Sequence, residues 1–479
     1  MHRRQFLLVA GGGLTSLAWA PHLTAAENAP PQRLRFAPSP SNKQLRQAVL
    51  KIESAGDLKL NAAGQQVERR PLQVSATFTF DETTTSEGIV VRHYSDAQAL
   101  LRVGKSKFQT RLRDERRVIA AHRAEEHVTL YSPLGPLSRD ELELLQSPGN
   151  NIRPAELLSD EEVAVGESWT LDAGVLARLL WLDAVSSSQV TATLENVTDG
   201  IALVTFTGPV GGAVGGIATD IDLQGKLNYD LQQSQVTWLT LGIQEKRSIG
   251  HAEPGFETST QVKLALRPQK SSAELAPAAL KALPLRFDPA QALLAYESTE
   301  GRFRALLDRR WRVMVDRADL TVLRLIDRGD LIAQCNLSRL PALAPGKQLP
   351  LEELQDDIKQ SLGKNFRQFA EASQSQTDEE LRILRVTAVG EASDLAVQWN
   401  YYHLSNEQGQ RLALVFTFES NLAERFAEAD RALVASLEFL ADPAPTTAPG
   451  GEGRTADTPS PPAASSTSSL KSPQPPTKR

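Results

Sequence analysis

The sequence predicts an α+β protein: an N-terminal, mainly-β domain with a curved antiparallel sheet and two short helices, then a C-terminal α/β region, then a disordered tail. Three observations predict it. Between residues 72 and 241, long runs alternate apolar and polar side chains with the period of two that half-buried strands require. Spacings of three and four first govern a long stretch at Leu351, Leu354, Ile358, Leu362 and Phe366, which line one helical face. From residue 441 to 479 the chain is dominated by Pro, Ala, Ser, Thr and Gly, a composition that cannot offset its ordering entropy.

The chain has 479 residues and a formal net charge of −6. That length calls for two or three domains. The acidic balance excludes nucleic acid as the main partner, because phosphate binding needs clustered Lys and Arg in excess. The single cysteine, Cys335, excludes an intramolecular disulfide framework and an all-cysteine metal cage. No cofactor is expected. The glycines from Gly208 to Gly216 lack the spacing of a phosphate loop, and a strand, not a helix, follows them.

Residues 1–26 read as an export signal. Arg3-Arg4 precede a moderately apolar stretch ending at Ala20, which Gly11-Gly12-Gly13 interrupts. Arg3-Arg4-Gln5-Phe6-Leu7 resembles a twin-arginine signal, with an ordinary Sec signal as the alternative. Thr24-Ala25-Ala26 supplies the small residues of a cleavage site. Cleavage there removes two arginines and no acid, so the charge of −6 becomes −8. No later stretch has about 18 consecutive apolar residues, so no membrane span is expected in the mature chain. The expected address is periplasmic or extracellular.

Residues 27–44 are a polar leader, and 45–268 the mainly-β domain. Leu72, Val74, Ala76, Phe78 and Phe80 mark one strand; the longest alternation runs from Ile217 to Leu231. Gly215-Gly216 before it is a two-residue hairpin turn, because both positions need positive φ. Residues 236–241 begin the next strand. Ser138-Arg139-Asp140-Glu141 is a capping box opening a helix over 141–146. Asp172 caps a second helix over 174–182, with an apolar stripe from Val175 to Leu182. Residues 269–285 form a linker.

The second region spans 286–440. A hairpin is expected over 293–297 and 302–306, then strands at 311–315, 322–325 and 331–336. The amphipathic helix covers 351–370. Strands follow at 381–389, 395–404 and 411–418. Asn421 caps a last helix through Ala435, and Leu437-Glu438-Phe439 closes the region.

This order of elements resembles the PsbP-type fold, most closely over Ala413-Leu414-Val415-Phe416-Thr417-Phe418, the helix after it and Ala435-Ser436-Leu437-Glu438-Phe439. The resemblance covers about a third of the chain. It implies an α/β/α sandwich used for binding and brings no catalytic residues. The whole chain also resembles exported proteins of planctomycete bacteria. Ser138-Arg139-Asp140-Glu141-Leu142, Val165-Gly166-Glu167-Ser168-Trp169-Thr170, Lys246-Arg247-Ser248-Ile249-Gly250-His251 and Gln398-Trp399-Asn400-Tyr401-Tyr402-His403-Leu404 carry that resemblance, which implies an address and no chemistry.

Four groups of residues are candidate sites. Lys105, Lys107, Arg111, Arg113, Arg116 and Arg117 form a basic stretch in an acidic chain. Arg111, Arg113 and Arg117 are the ligand-binding candidates, for an anionic glycan or lipid head group; pairing with Asp114 and Glu115 is the structural alternative. Trp399, Tyr401 and His403 share one strand face, which can stack on a sugar, line a pocket or pack beneath the long helix. His122 and His127 are five apart, which excludes one helical face. On a hairpin with its loop at 123–126 they become cross-strand neighbours able to hold a metal loosely. Gly166-Glu167-Ser168-Trp169-Thr170 falls one glycine short of a nucleophile elbow.

These readings point to an exported, non-enzymatic binding or scaffold protein of the cell envelope, with an envelope component or a protein as partner. The alternatives are an envelope-polymer hydrolase and a metal-binding protein acting through His122 and His127.

Overall fold

The computed structural model describes residues 33–36, 45–61, 67–124, 127–150, 153–344, 346–377 and 381–441, with the side chains of Ala124 and His127 excepted. The expected signal peptide, most of the leader and all but the first residue of the expected tail lie outside these residues.

Strand dominates from Arg46 to Phe439 and is organised in three sheets. The largest has thirteen strands. Its path runs from the edge strand His127–Tyr131 through Val118–Ala124, Val90–Val103, Val67–Thr84, Arg46–Asn61, Gly255–Pro268, Gln235–Arg247, Ile217–Asp230, Ile201–Val214 and Thr191–Thr198 to Ser168–Thr170. Ser106–Arg111 and Ala184–Ser188 pair off this path. The alternation seen in the sequence is realised as burial: in Ile217–Asp230 every second residue from Thr219 to Tyr229 is buried and most of the others are exposed. The inward faces of strands from both ends of the path meet in one core, so the sheet curls.

Two short helices fill that core. Arg139–Leu145 starts at Ser138, whose Oγ accepts from the Glu141 amide at 3.2 Å while Glu141 Oε2 accepts from the Ser138 amide at 2.8 Å. Ala173–Leu180 starts at Asp172, which accepts from the Gly174 and Val175 amides. Leu142, Leu145, Leu176 and Leu179 are essentially inaccessible. The inner face of the curled sheet is therefore occupied by the protein's own side chains.

A four-stranded sheet brings together segments distant in sequence. Glu438–Phe439, Phe303–Leu307 and Leu294–Ser298 lie side by side, and Leu137–Ser138 from the capping-box segment adds to it in parallel. Arg139 reinforces this junction by donating to the carbonyls of Arg309 (2.6 Å) and Trp311 (3.0 Å). Residues 269–285 lie against the large sheet, where Leu275 and Leu280 pack on Val91 and Val118.

The third sheet has seven antiparallel strands in the order Trp311–Asp316, Thr321–Asp327, Asp330–Leu340, Arg411–Glu419, Leu395–Ser405, Arg382–Ala392 and Phe366–Gln376. It overturns the expected division into a β domain and an α/β/α sandwich: antiparallel sheets run through the described residues from Arg46 to Phe439, which are mostly β. The helix expected over 351–370 ends at Leu362, because Gly363 takes a φ of +50°. Phe366 and Phe369 keep helical spacing but lie in an additional edge strand. The last helix is broken at Ala427, also at φ +50°, into Ala423–Phe426 and Ala429–Ala435. Helical segments this short cannot make full layers on the sheet.

Candidate functional site

A polar depression of about 450 Å³ opens on the outer face of the large sheet. Register builds it. Arg102, Gln73, Ala55 and Ser259 lie in one row across four strands, and Leu100, Ser75, Glu53 and Gln261 in the next. Small residues at Ala55, Ser75 and Ser259 leave the floor low; longer polar side chains rise round it. Glu53 accepts from Ser75 Oγ at 3.1 Å, and Ser259 accepts from Gln244 at 2.8 Å. The Arg102 guanidinium makes no hydrogen bond or ion pair among the described residues. Lys107, its partner on Ser106–Arg111, is exposed. The site thus offers a cation pair, amides and a single carboxylate to solvent.

The basic candidates lie beside this depression or beyond it. Arg111 ends the strand Ser106–Arg111, and its row partner is Gln98. It stands 3.6 Å from Asp114, which Arg117 also engages at 2.7 Å. Arg113 lies past the strand end, on the far side of buried Leu112, and turns to Glu141. Its Nε and Nη2 donate to the two carboxylate oxygens at 2.8 and 2.7 Å. Burial alone would raise the Glu141 carboxyl; the hydrogen bonds from Arg113 and from the Ser138 amide hold it below the usual range. Arg116 donates to the carbonyls of Leu134 and Pro136. Arg102 was not singled out in the sequence. Only the strand register brings it together with Lys107 and Gln73.

Trp399, Tyr401 and His403 do share one face of Leu395–Ser405. Trp399 is buried and packs near Gly390, and Tyr401 joins Ile358, Val386 and Ala388 beneath the helix Leu351–Leu362. His403 is 2 % exposed, and neither ring nitrogen has a hydrogen-bond partner. Burial, with Arg411 and Arg382 nearby, lowers it to about 4, so it is neutral at pH 7. At this end of the sheet Arg411 donates to the Pro341 carbonyl and Arg382 to that of Leu349.

The hairpin carrying His122 turns later than expected. Its strand runs to Ala124, so Ala124 faces His127 and His122 faces Thr129. Strand pairing thus extends to Ala124 and His127, into the segment 123–126 expected as loop. The His122 ring stacks on Phe287, 4.4 Å between centroids and 9° between planes. The His127 side chain lies outside the described residues. Among those described, no group of three or more His, Cys, Asp or Glu is placed to hold a metal.

Ser168 begins the edge strand Ser168–Thr170, and its Oγ bonds Thr193 Oγ1 at 2.8 Å, without a histidine partner. Trp169 turns inward and donates to the Leu157 carbonyl. A nucleophile elbow needs a strand-to-helix turn; here a strand follows a turn at Gly166. Cys335 is fully buried, far up in pKa from burial and then from the nearby Asp430 charge.

No family model and no curated protein matches this chain. Among solved structures it is weakly similar to cyanobacterial PsbP (CyanoP) from Synechocystis sp. PCC 6803, at 12 % identity and a TM-score of 0.25, over 31 % of this chain and 92 % of that one. Lipovitellin matches at 10 % identity and a TM-score of 0.28, over 50 % of this chain and 27 % of its own. The translocator domain of the autotransporter NalP from Neisseria meningitidis matches at 9 % identity and a TM-score of 0.12, over 78 % of this chain and 87 % of its own. No helix among the described residues is long and apolar enough to cross a membrane.

Proposed function

We propose that this is an exported, non-enzymatic binding protein of the cell envelope that holds an acidic, hydroxyl-rich polymer in the depression on its outer sheet face. The two rows Arg102–Gln73–Ala55–Ser259 and Leu100–Ser75–Glu53–Gln261 carry the reading. Unpartnered Arg102 with Lys107 beside it suits carboxylate or phosphate groups, and the Gln amides suit hydroxyls. A filled inner face leaves the outer surface as the place for a partner. The Arg3-Arg4 pair ahead of a moderately apolar stretch supports the address.

A hydrolase reading is weaker. The depression has one carboxylate, Glu53, where glycoside hydrolysis needs an opposed pair, and Ser168 has no base.

Affinity electrophoresis in gels containing polygalacturonate tests the proposal, with neutral dextran as control. The mature protein should be retarded by polygalacturonate only. The retardation should shrink at high salt and disappear in Arg102→Glu and Lys107→Glu. Equal mobility in both gels would overturn the acidic-polymer reading, and release of reducing ends from the polymer would overturn the non-enzymatic one.

A further inference from the structure

The outer face of the large sheet continues past the depression in two further rows. Across Val67–Thr84, Arg46–Asn61, Gly255–Pro268, Gln235–Arg247 and Ile217–Asp230 the first reads Thr77, Lys51, Lys263, Thr240 and Lys226. The second reads Thr79, Val49, Ala265, Trp238 and Asn228. Lys263 stands two residues beyond Gln261 on the same strand, so the rows adjoin the edge of the depression. At Gly242, opposite Gln261, a Cβ would meet nothing within 4 Å, and the surface there is low and open.

Lys51, Lys226 and Lys263 are exposed, and their ammonium groups make no hydrogen bond or ion pair among the described residues. Lys51 and Lys263 are direct cross-strand partners, an arrangement that like charges destabilise. The remaining row partners of the three lysines are Thr77, Thr240 and Thr205, so no carboxylate lies opposite any of them. Trp238 alternates with buried Leu239 and turns outward. It is half-buried and does not join the apolar side chains packed on the core. Ala265 beside it is small, and Val49 beyond is 36 % exposed, which makes a shallow apolar shelf. Lys226 and Lys263 hold the diagonal positions on the two neighbouring strands, about 7–8 Å from Trp238.

An outward indole between two unpaired cations suits a sugar ring that carries an acidic group: the ring stacks on the indole, and the carboxylate or phosphate meets an ammonium. We propose that Trp238, Lys226 and Lys263 form a second subsite for one acidic sugar unit. The inference rests on the acidic-polymer reading and adds where the polymer runs on leaving Gln261. Lys51 supplies the cation between the two subsites.

Titration of the mature protein with trigalacturonate, followed by tryptophan fluorescence, tests the subsite apart from the depression. A saturable emission change is expected, absent with neutral maltotriose and absent in Trp238→Phe, which lacks the reporter. Lys263→Gln, which breaks no bond, should weaken the response about fivefold, the worth of one exposed ion pair. It should unfold at no lower urea concentration than the native chain, because it relieves the repulsion from Lys51; a lower midpoint would assign the lysine to the fold instead. No emission change in the native protein, or one that persists in Trp238→Phe, overturns the subsite. In the polygalacturonate gels, Trp238→Ala should lose part of the retardation. Full retardation of that variant overturns the subsite and leaves the depression standing. A native chain that is not retarded, yet gives the Trp238-dependent emission change, overturns the depression's reading and leaves Trp238 as a site for short acidic saccharides alone.

Discussion

Gly216 and Gly329 meet backbone against backbone. Each is the second residue of a two-residue hairpin turn, Gly215-Gly216 in the thirteen-stranded sheet and Arg328-Gly329 in the seven-stranded one, and all four residues have positive φ. A Cβ on Gly216 would sit 2.1 Å from the Arg328 carbonyl carbon and 2.1 Å from the Gly329 nitrogen. The contact locks one sheet's turn to the other's. Gly216→Ala should therefore destabilise by about 2–4 kcal/mol, combining left-handed strain with a backbone clash. At Gly215 a Cβ meets nothing within 4 Å, so Gly215→Ala should cost only the conformational part, about 1 kcal/mol. Urea denaturation of the two variants separates strain from contact; equal losses would refute the interlock.

That hairpin was legible in advance, because two adjacent glycines between alternating runs have a narrow structural meaning. So were both helix starts, Ser138 with Glu141 and Asp172, since caps act within four residues. What failed was a spacing argument. Ile358, Leu362 and Phe366 fit a helix, yet Gly363 turns the chain and Phe366 continues in a strand, still packed with Phe369 on the helix it leaves. The depression was not legible at all. Arg102, Gln73 and Ala55 are meaningless until register puts them in one row, and register depends on pairing partners dozens of residues away. The basic stretch shows the same limit: Arg113 looks free locally, and its partner Glu141 is 28 positions on.

His403 should make stability depend on pH. Its folded-state value of about 4 lies below the unfolded value near 6.5. The unfolded chain therefore binds a proton that the fold refuses, and stability present above pH 6.5 is lost as pH falls toward 4. Arg382 and Arg411 face the ring and strengthen the refusal. The full loss is about 3 kcal/mol. Glu82, held near 2 by Arg92 and Arg46 against its burial, loses its contribution only below pH 4.5. Chemical denaturation between pH 7 and 4.5 should show the slope in the native chain and a flatter one in His403→Leu. An unchanged slope in the variant would assign the effect elsewhere.

Cys335 should be silent in the fold. It is fully inaccessible, and burial beside Asp430 keeps it protonated. A chromogenic disulfide reagent should detect no thiol in the native protein and one after unfolding in guanidinium. Reaction of the native thiol at the unfolded rate would show that the sheet opens readily there.

Arg113 and Glu141 make the most informative pair for stability. Glu141 closes the capping box and receives both arms of Arg113, while its own side chain is 3 % exposed. Arg113 is 41 % exposed and retains water on one side. The pair is therefore asymmetric: removing the arginine strands a buried carboxylate, whereas removing the acid frees a solvated cation but also breaks the cap. Arg113→Ala should cost about 2–3 kcal/mol at pH 7. The cost should shrink toward pH 4, because a Glu141 freed of Arg113 rises in pKa and neutralises itself. Glu141→Ala should cost a similar amount through the lost cap and the unpaired amides, with little pH dependence in that range. Denaturation curves at the two pH values distinguish these outcomes. A pH-independent loss in Arg113→Ala would mean that the backbone amides alone keep Glu141 ionised, and that the arginine contributes packing more than charge.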